Sequence, residues 1–492
     1  MSPPPKIDSR TQLGSRVFLN TAAILTGRFL SIAFSAGAAM LLARYLGSEK
    51  LGQFGAIYAY LALFSWLATF GLDAVLVREI SREREEASSI LHTGVVLSAI
   101  FSVATTVLAL LLAGVGGYGG HLRVLLAIAA IEILVGPFRL PSVILQVDLK
   151  QWYSAGINVF RQGLWLAIVA VLVIFKASLS YIILGRVVTA ISEAALLWTY
   201  ARRLLPSTHS FLPDRARTFV RYSFPIAFTS LLAMIYLRID QVMLHNMTTD
   251  SILGQYVAAV KVSELFEMLP AALMSSLAPI LSLTVTQEFQ FRSYVDRSFR
   301  YFMVISAGLC VCVTLAARLI VWTLYGHQFL PSAHLLAVLI WSEVAVFFAT
   351  VVVNVLIASN LQRYLPLPTL LGAVLNIGLN LILIPRFAAV GSAWATVASY
   401  TAGWMVCLVF FKQTRGLVWQ GLRFALPVGA MALLAVGTSS LLPIQEIFRV
   451  ITGLVLFGAG IGITRIITSD DLTYLWTGLA RSFPLAGSRD SQ

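Results

Sequence analysis

The stretch LGQFGAIY at residues 51–58 returns as LGQYVAAV at residues 253–260, and this internal repeat decides the fold. Each copy begins a long apolar segment, and the two copies start 202 positions apart. Six apolar segments separate the two starting points. Because six is an even number, both halves of the chain enter a membrane in the same orientation. The repeat therefore predicts two similar halves related by an axis along the membrane normal.

Apolar segments follow one another along most of the chain, which has a mean hydropathy of +0.85. About fourteen of them are long enough to cross a hydrocarbon layer roughly 30 Å thick. The predicted spans are residues 18–43, 51–71, 91–116, 123–146, 152–175, 178–200, 219–246, 252–283, 300–325, 331–358, 363–385, 388–411, 423–442 and 447–467. We therefore predict an all-α polytopic membrane protein with two six-helix lobes, related by a pseudo-two-fold axis along the membrane normal, and two further C-terminal helices.

Polar gaps between the spans give the predicted domain boundaries. The predicted parts are a cytoplasmic N-terminal tail at 1–17, an N-lobe at 18–200, a cytoplasmic linker at 201–218, a C-lobe at 219–411, an extra helix pair at 412–467 and a cytoplasmic tail at 468–492. Prolines inside spans predict bends in the helices. These prolines are Pro137 and Pro141 in the fourth span, Pro225 in the seventh and Pro270 in the eighth.

The distribution of positive charge predicts the orientation in the membrane. With the N-terminus in the cytoplasm, 21 of the 35 Lys and Arg residues fall on the inner side and 6 on the outer side. Cytoplasmic loops are typically rich in Lys and Arg. This bias also explains the net charge of +13 better than a nucleic-acid partner does. We predict a multi-pass protein of the cytoplasmic (inner) membrane with both termini in the cytoplasm.

Several cations lie inside the apolar spans, where each costs about 2.5–3.5 kcal/mol on insertion scales. They are Arg28, Arg161, Arg186, Arg238 and Lys261. Such residues must lie in a bundle interior or a wet cavity, and a cationic cavity indicates an anionic cargo. The alternative is internal ion pairing. Arg28 could pair with Glu193 or Glu264, and Arg161 and Arg186 could pair with Glu132 or Glu193.

Asp240, Glu264 and Glu267 are the acids nearest the proposed cavity and are the predicted ion-coupling residues. Arg238 and Asp240 point about 200° apart on a regular helix, so both cannot face one cavity. Asp240 is then either a partner for another cation or a proton site. Lys261 and Glu264 are three positions apart and can pair. Their pair is either structural or exchanges partners to couple ion movement to cargo.

Neither a metal nor a cofactor is expected. The three cysteines, Cys310, Cys312 and Cys407, lie in apolar spans without the spacing of a metal site or of an extracellular disulfide. The apolar segments also leave no long polar stretch that could form a soluble catalytic domain.

Five short motifs occur in order along residues 18–412. ARYLGSEKLG at 43–52 resembles the pattern ARxLGPxxxG, with Ser48 in place of proline, and GLDAVLVRE at 71–79 resembles GL(D/S)xxLVRE. YLRIDQ at 236–241 is similar to YxRIDQ, and YGHQF at 325–329 resembles a segment that follows a ninth span. IPR at 384–386, with VGSA at 390–393, is similar to IPxxGxxGAA with looser spacing. These patterns are those of the Wzx-like polysaccharide-biosynthesis flippases, in the multidrug/oligosaccharidyl-lipid/polysaccharide exporter superfamily.

The resemblance implies two six-helix lobes that face a central cavity and alternate in access. It also implies a lipid-linked anionic oligosaccharide as cargo, with a polyprenyl pyrophosphate carrier, and first-span cations such as Arg28 in the cavity lining. Membrane lipids and glycan-assembly enzymes are further expected partners, and the protein is expected to act as a monomer.

Two other functions compete with this interpretation. A multidrug or toxin exporter of the same superfamily would need an acidic cavity for organic cations, whereas the predicted cavity is cationic. A membrane oligosaccharide polymerase or glycosyltransferase would need long extracytoplasmic loops, and the predicted outer loops are short. We therefore expect a transporter and not an enzyme.

Overall fold

The computed structural model describes residues 10–114, 116–148, 150–203 and 210–467, with side chains from residue 26 onward. Residues 1–9 of the predicted N-terminal tail, 204–209 of the predicted linker and all of the tail at 468–492 lie outside the described residues. The helices are α1 Arg10–Thr69, α2 Leu72–Arg82, α3 Ala87–Leu112, α4 Gly120–Val135, α5 Ser142–Val147, α6 Gln151–Ile174, α7 Leu179–Ala201, α8 Pro213–Met247, α9 Asp250–Glu264, α10 Met268–Thr284, α11 Glu288–Tyr325, α12 Pro331–Leu339, α13 Ser342–Ala358, α14 Pro366–Thr401, α15 Lys412–Leu441 and α16 Glu446–Ile463.

Twelve helical stretches of the described chain are long and apolar enough to cross a membrane. Two of them, residues 26–82 and 362–410, are 57 and 49 residues long, well beyond one crossing. Each contains a non-helical residue where two predicted spans meet, Gly47 (φ 72°) in α1 and Ala388 (φ 48°) in α14. The positive φ at position 47 suits glycine, which has no Cβ. The all-α membrane fold is thus confirmed, while the count of fourteen spans stays a prediction.

Two breaks between helices lie at prolines that the sequence singles out. The fourth span bends as predicted, because α4 ends at Val135 and a 3₁₀ turn at Gly136–Arg139 leads to α5. Helix α8 continues through Pro225. The eighth span breaks at residues 265–267, before Pro270, which lies in the first turn of α10. A proline removes the hydrogen bond to the carbonyl four residues before it and clashes with that carbonyl. For Pro270 that carbonyl belongs to Phe266, inside the break, so the bend predicted for this span is confirmed.

The chain forms two compact units. The first unit contains the chain up to Leu265 with Val321–Leu335 and Gly372–Thr396, and the second contains Phe266–Ile320, Leu336–Leu371 and the chain from Val397. In the first unit α1 packs on α3, α4, α6, α8 and α9. In the second unit α13 packs on α10 and α15, and α15 packs on α16. The lobe boundaries at 18–200 and 219–411 stay a prediction.

The two copies of the sequence repeat pack directly against each other in the first unit. A Cβ on Gly52 would lie 1.8 Å from the carbonyl oxygen of Asp250, and a Cβ on Gly254 would lie 1.8 Å from that of Ser48. The hydroxyl groups of Ser48 and Ser251 are 2.7 Å apart. The contacts are reciprocal, as expected for repeats related by a two-fold axis. Only glycine allows the two backbones to approach so closely.

The second unit has an aromatic core. Phe299, Phe302, Phe347 and Phe348 are fully buried and belong to one apolar cluster. Gly421 lets α15 lie on this cluster, because a Cβ there would be 2.4 Å from the Phe348 ring.

Candidate functional site: a cationic pair of cavities

Two adjoining cavities lie in the first unit at the cations that the sequence singles out. Cavity A has a volume of about 360 Å³ and is lined mainly by α1, α4, α7, α8 and α9. Cavity B has a volume of about 200 Å³ and lies mainly among α1, α6, α7 and α9. The two share Phe54, Arg186, Val257 and Lys261 in their linings. The two cavities therefore adjoin each other at these four residues.

Glu264, the last residue of α9, binds two of the predicted cargo-binding cations. Arg238 donates to one carboxylate oxygen at 2.7 Å, and Lys261 donates to the other at 2.6 Å. Arg238 lines cavity A, and Lys261 lines both cavities. The side chains of Arg238 and Glu264 are 27% and 25% exposed, so water only partly screens their charges. The pairing of Lys261 with Glu264 is confirmed, and Arg238 is a second partner that the sequence did not indicate.

Glu193 on α7 also lies between two arginines. Its carboxylate oxygens are 2.9 Å from Nε of Arg139 and 3.4 Å from Nε of Arg161. Arg161 also donates to the side chain of Asn158 at 3.1 Å. Arg139 lines cavity A and Arg161 lines cavity B. Of the two acids that the sequence offered as partners for Arg161, the structure selects Glu193.

Arg186 lies where the two cavities join, and an aromatic ring holds it in place. Its guanidinium lies 4.0 Å from the ring centre of Tyr58, and its Nε lies 3.4 Å from Glu132. The Tyr58 hydroxyl donates to the same Glu132 oxygen at 2.7 Å. A cation over an aromatic face contributes about 0.5–2 kcal/mol. Tyr58 thus contacts both members of the ion pair.

The charges around the site do not cancel. Five cations line the cavities, and three carboxylates contact them, which leaves an excess of two positive charges. Two of the acids each contact two cations. An isolated cation in a low-dielectric site is costly. The arrangement therefore favours a ligand that brings negative charge.

Asp240 lies on the opposite side of α8 from Arg238, as the helical geometry predicted. It is 6% exposed and accepts hydrogen bonds from the Tyr256 hydroxyl at 2.6 Å and from the Gln241 backbone at 2.7 Å. The Tyr256 hydroxyl is also 3.3 Å from the hydroxyl of Thr396. Asp240 is absent from both cavity linings, whereas Arg238 and Gln241 line cavity A.

Arg28 and Glu267 are not among the residues that line cavities A and B. Arg28 is exposed on α1 and is not among the residues that line either cavity. Glu267 is exposed in the break after α9 and belongs to the second unit. The structure therefore brings together four of the five predicted cations and one of the three predicted acids.

Two residues of the cluster were missed by sequence reasoning. Tyr58 entered only as part of the repeat, although its position four residues after Phe54 places both rings on one face of α1. The two ring centroids are 4.7 Å apart. Arg139 was not among the predicted site residues, because it lies near the end of its span between two prolines.

No metal site accompanies the cluster. Among the described residues, no three His, Cys, Asp or Glu side chains come together to hold a metal ion. Cys310, Cys312 and Cys407 are free thiols.

Sequence comparisons connect the chain with proteins of polysaccharide and glycan biosynthesis. Residues 41–334, more than half of the chain, match the family model described as polysaccharide biosynthesis protein. The chain is 25% identical over 385 residues to the probable low-salt glycan biosynthesis flippase Agl15 of Haloferax volcanii. That alignment covers 76% of this chain and 79% of the relative.

Comparisons of structure give the same fold. The chain is similar to the lipid II flippase MurJ in an inward closed conformation, with a TM-score of 0.72 and 14% identity over 90% of this chain and 98% of MurJ. It is also similar to an inward-facing multidrug resistance MATE family transporter, with a TM-score of 0.62 and 14% identity over 80% of this chain and 95% of that one. At such identity these neighbours show the fold alone. Because the family model matches more than half of the chain, the chain belongs to the polysaccharide biosynthesis protein family.

Proposed function

We propose that the protein flips a lipid-linked anionic oligosaccharide, carried on a polyprenyl pyrophosphate, across the cytoplasmic membrane by alternating access. The Haloferax volcanii relative is named a glycan biosynthesis flippase, and MurJ is named a lipid II flippase. The names of these two proteins support a lipid-linked glycan as the class of cargo.

The observation that carries the proposal is the excess of two positive charges in cavities A and B. A pyrophosphate supplies negative charge of matching size. It also supplies several acceptor oxygens for the planar fork of an arginine, which binds phosphate through two parallel hydrogen bonds. Arg186 and Arg238 are the arginines of cavity A that we assign to this contact, with Lys261 as a point charge beside them.

Cargo binding would proceed by exchange of partners. In the cargo-free protein Glu264 contacts Arg238 and Lys261, and Glu193 contacts Arg139 and Arg161. An arriving phosphate replaces a carboxylate as the partner of one cation while the other cation keeps the acid. Because each of these acids contacts two cations, the acid keeps a partner throughout the exchange.

A broken helix beside the site supports alternating access. Helix α9 ends at Glu264 and α10 begins at Met268. Transporters commonly bind cargo where a membrane helix is discontinuous, and one part of the protein then moves against another around the site. Differential binding of cargo in two arrangements would shift their populations.

We assign ion coupling to Glu264, with Asp240 and Glu267 as the remaining candidates. Protonation of Glu264 would release Arg238 and Lys261 together, so proton and cargo would compete for one site. The amide variants Glu264→Gln, Asp240→Asn and Glu267→Gln imitate the protonated acids. We expect Glu264→Gln to keep cargo binding and lose the response of transport to a pH gradient. Native transport that ignores both proton and sodium gradients would refute the coupling.

Export of organic cations is the rival within the superfamily, and it would require a cavity with excess negative charge. Catalysis by a polymerase or glycosyltransferase is the rival outside it. A transferase assay with the purified protein and a polyprenyl-linked acceptor distinguishes the enzyme, because a flippase leaves the glycan unchanged.

The main test measures flipping by the full chain in proteoliposomes. The probe is a fluorescent polyprenyl-pyrophosphate oligosaccharide, and a membrane-impermeant quencher reports which leaflet it occupies. We expect Arg238→Ala and Arg186→Ala to slow flipping about tenfold or more, because a charged hydrogen bond contributes about 1.5–3 kcal/mol. Lysine at either position should restore part of the rate, since it keeps the charge and loses the fork.

Arg217→Ala is the matched control. Arg217 is exposed in the first turns of α8, the helix that also carries Arg238, and it lines neither cavity. Its variant should flip at the native rate. Arg28→Ala, measured in the same assay, shows whether this exposed cation contributes to the rate of flipping. Native rates for both Arg186→Ala and Arg238→Ala would refute the assignment of the cavity to cargo.

We further propose that the protein acts as a monomer with both termini in the cytoplasm, where glycan-assembly enzymes supply the cargo. Reporter domains fused at Ser2 and Gln492 should both report a cytoplasmic location. An extracytoplasmic C-terminus would contradict the even number of spans.

A further inference from the structure

A second group of cations lies on one face of α15 in the second unit. Lys412, Arg415, Trp419 and Arg423 are spaced by three, four and four residues, which places them along one side of a helix. All four are exposed. The opposite side of α15, including Val418 and Val428, is buried in the apolar cluster of the second unit.

The same exposed face continues as a row of leucines. Leu426 and Leu433, seven and fourteen residues after Trp419, are 65% and 60% exposed. Helix α15 has 30 residues, so it is about 45 Å long and matches a bilayer with its headgroup layers. Its first residues therefore lie at headgroup level, Trp419 lies at the interface where tryptophan is favoured, and the leucines lie at acyl-chain depth.

A third cavity, cavity C, opens beside the cationic end of this face. It has a volume of about 680 Å³ and includes Arg292, Trp419 and Arg423 in its lining. Its two acids already have donors. Glu288 pairs with Arg292 at 3.0 Å, and Asp296 accepts from Gln420 at 2.8 Å.

The cations on this face of α15, of which Arg423 lines cavity C, have no acidic partner among the described residues. Within the described part of the chain, no acid lies within ion-pair distance of Lys412, Arg415 or Arg423. This differs from cavities A and B, where each lining cation contacts a carboxylate. The charged ends of these long side chains reach water, which explains why they need no acidic partner.

We propose that this face of α15 and cavity C bind one anionic phospholipid of the surrounding bilayer. The phosphate accepts hydrogen bonds from Arg415 and Arg423, the glycerol region lies against Trp419, and the acyl chains follow Leu426 and Leu433. The order of charge, indole and leucine along the helix corresponds to the order of headgroup, interface and chain in one lipid molecule. This site is separate from cavities A and B and does not depend on the proposed cargo.

The test uses the purified full chain in nanodiscs of phosphatidylcholine with increasing phosphatidylglycerol. Native mass spectrometry of the protein released from the discs counts the lipids that stay bound. We expect phosphatidylglycerol to be retained in preference to phosphatidylcholine. Removing one of these cations should weaken the retention of phosphatidylglycerol about fivefold. The double variant with Arg415→Ala and Arg423→Ala should therefore weaken this retention roughly twenty-five-fold. Lysine at both positions should keep most of the preference.

Arg217→Ala again serves as the control, because it removes an equally exposed cation outside this face. Melting of each variant in detergent without added lipid verifies that the fold is intact. Equal retention of the two phospholipids by the native protein would overturn the proposal. So would an equal loss in Arg217→Ala, or stronger retention of a polyprenyl pyrophosphate than of phosphatidylglycerol at this face.

Discussion

The positive charges around cavities A and B and those on α15 are stabilised in different ways. Around cavities A and B, cations that are at least partly enclosed by the helices share carboxylates, as Arg238 and Lys261 share Glu264. On α15, Arg415 and Arg423 are exposed and have no carboxylate within ion-pair distance in the described chain. The comparison shows that enclosure, and not the presence of a cation in an apolar segment, decides whether an acid must accompany it.

The two groups of cations also differ in the kind of ligand that they suit. An acid that holds an enclosed cation can be displaced by an anionic cargo, so the pairs around cavities A and B are suited to reversible exchange. A cation exposed at headgroup level is available at all times and suits a lipid that stays bound. Three changes, in order of decreasing effect, test this contrast.

The largest effect is expected where α1 and α9 touch, because this contact positions the residues of cavities A and B. Gly52→Ala places a methyl group against the backbone of Asp250, which cannot move without shifting α9. We expect a loss of about 3 kcal/mol or more in stability, the upper range for overpacking. The measurement is the melting temperature in detergent.

Gly156→Ala is the matched control for this change, because a Cβ at Gly156 in α6 meets nothing within 4 Å. It should be neutral or slightly stabilising, since alanine favours a helix over glycine. A Gly52→Ala protein that melts at the native temperature would mean that the two repeats do not pack as described.

An intermediate effect is expected at Glu264. Glu264→Gln leaves Arg238 and Lys261 without their shared carboxylate, and we expect a loss of about 2 kcal/mol in stability. This lies below the value for fully buried pairs because the Lys261 side chain is 47% exposed. Added pyrophosphate should recover part of the melting temperature, because it supplies the missing charge. A variant as stable as the native protein would show that these cations need no partner.

The smallest effect is expected at Glu288, the partner of Arg292 beside cavity C. The side chains of this pair are 73% and 81% exposed, so water screens both charges. Glu288→Gln should change stability by less than about 0.5 kcal/mol. A loss equal to that of Glu264→Gln would remove the distinction between the two regions.

The sequence by itself determined the membrane fold, the family and the cations of the site. Hydropathy and charge are local properties, so the apolar spans and the residues that interrupt them can be identified without knowing which helices touch. The repeat at residues 51 and 253 indicated two similar halves for the same reason. Arg161, Arg186, Arg238 and Lys261 were identified because a cation inside an apolar span needs an explanation.

Tertiary structure alone decided which acid holds which cation. Arg139 and Glu193 are 54 positions apart in sequence, yet their charged atoms lie 2.9 Å apart because α7 packs on the turn that carries Arg139. Arg28 has the same charge and a similar apolar setting in sequence, but the packing of α1 leaves it outside both cavity linings. An ion pair depends on the approach of helices distant in sequence, and only the packing of the whole unit fixes that approach.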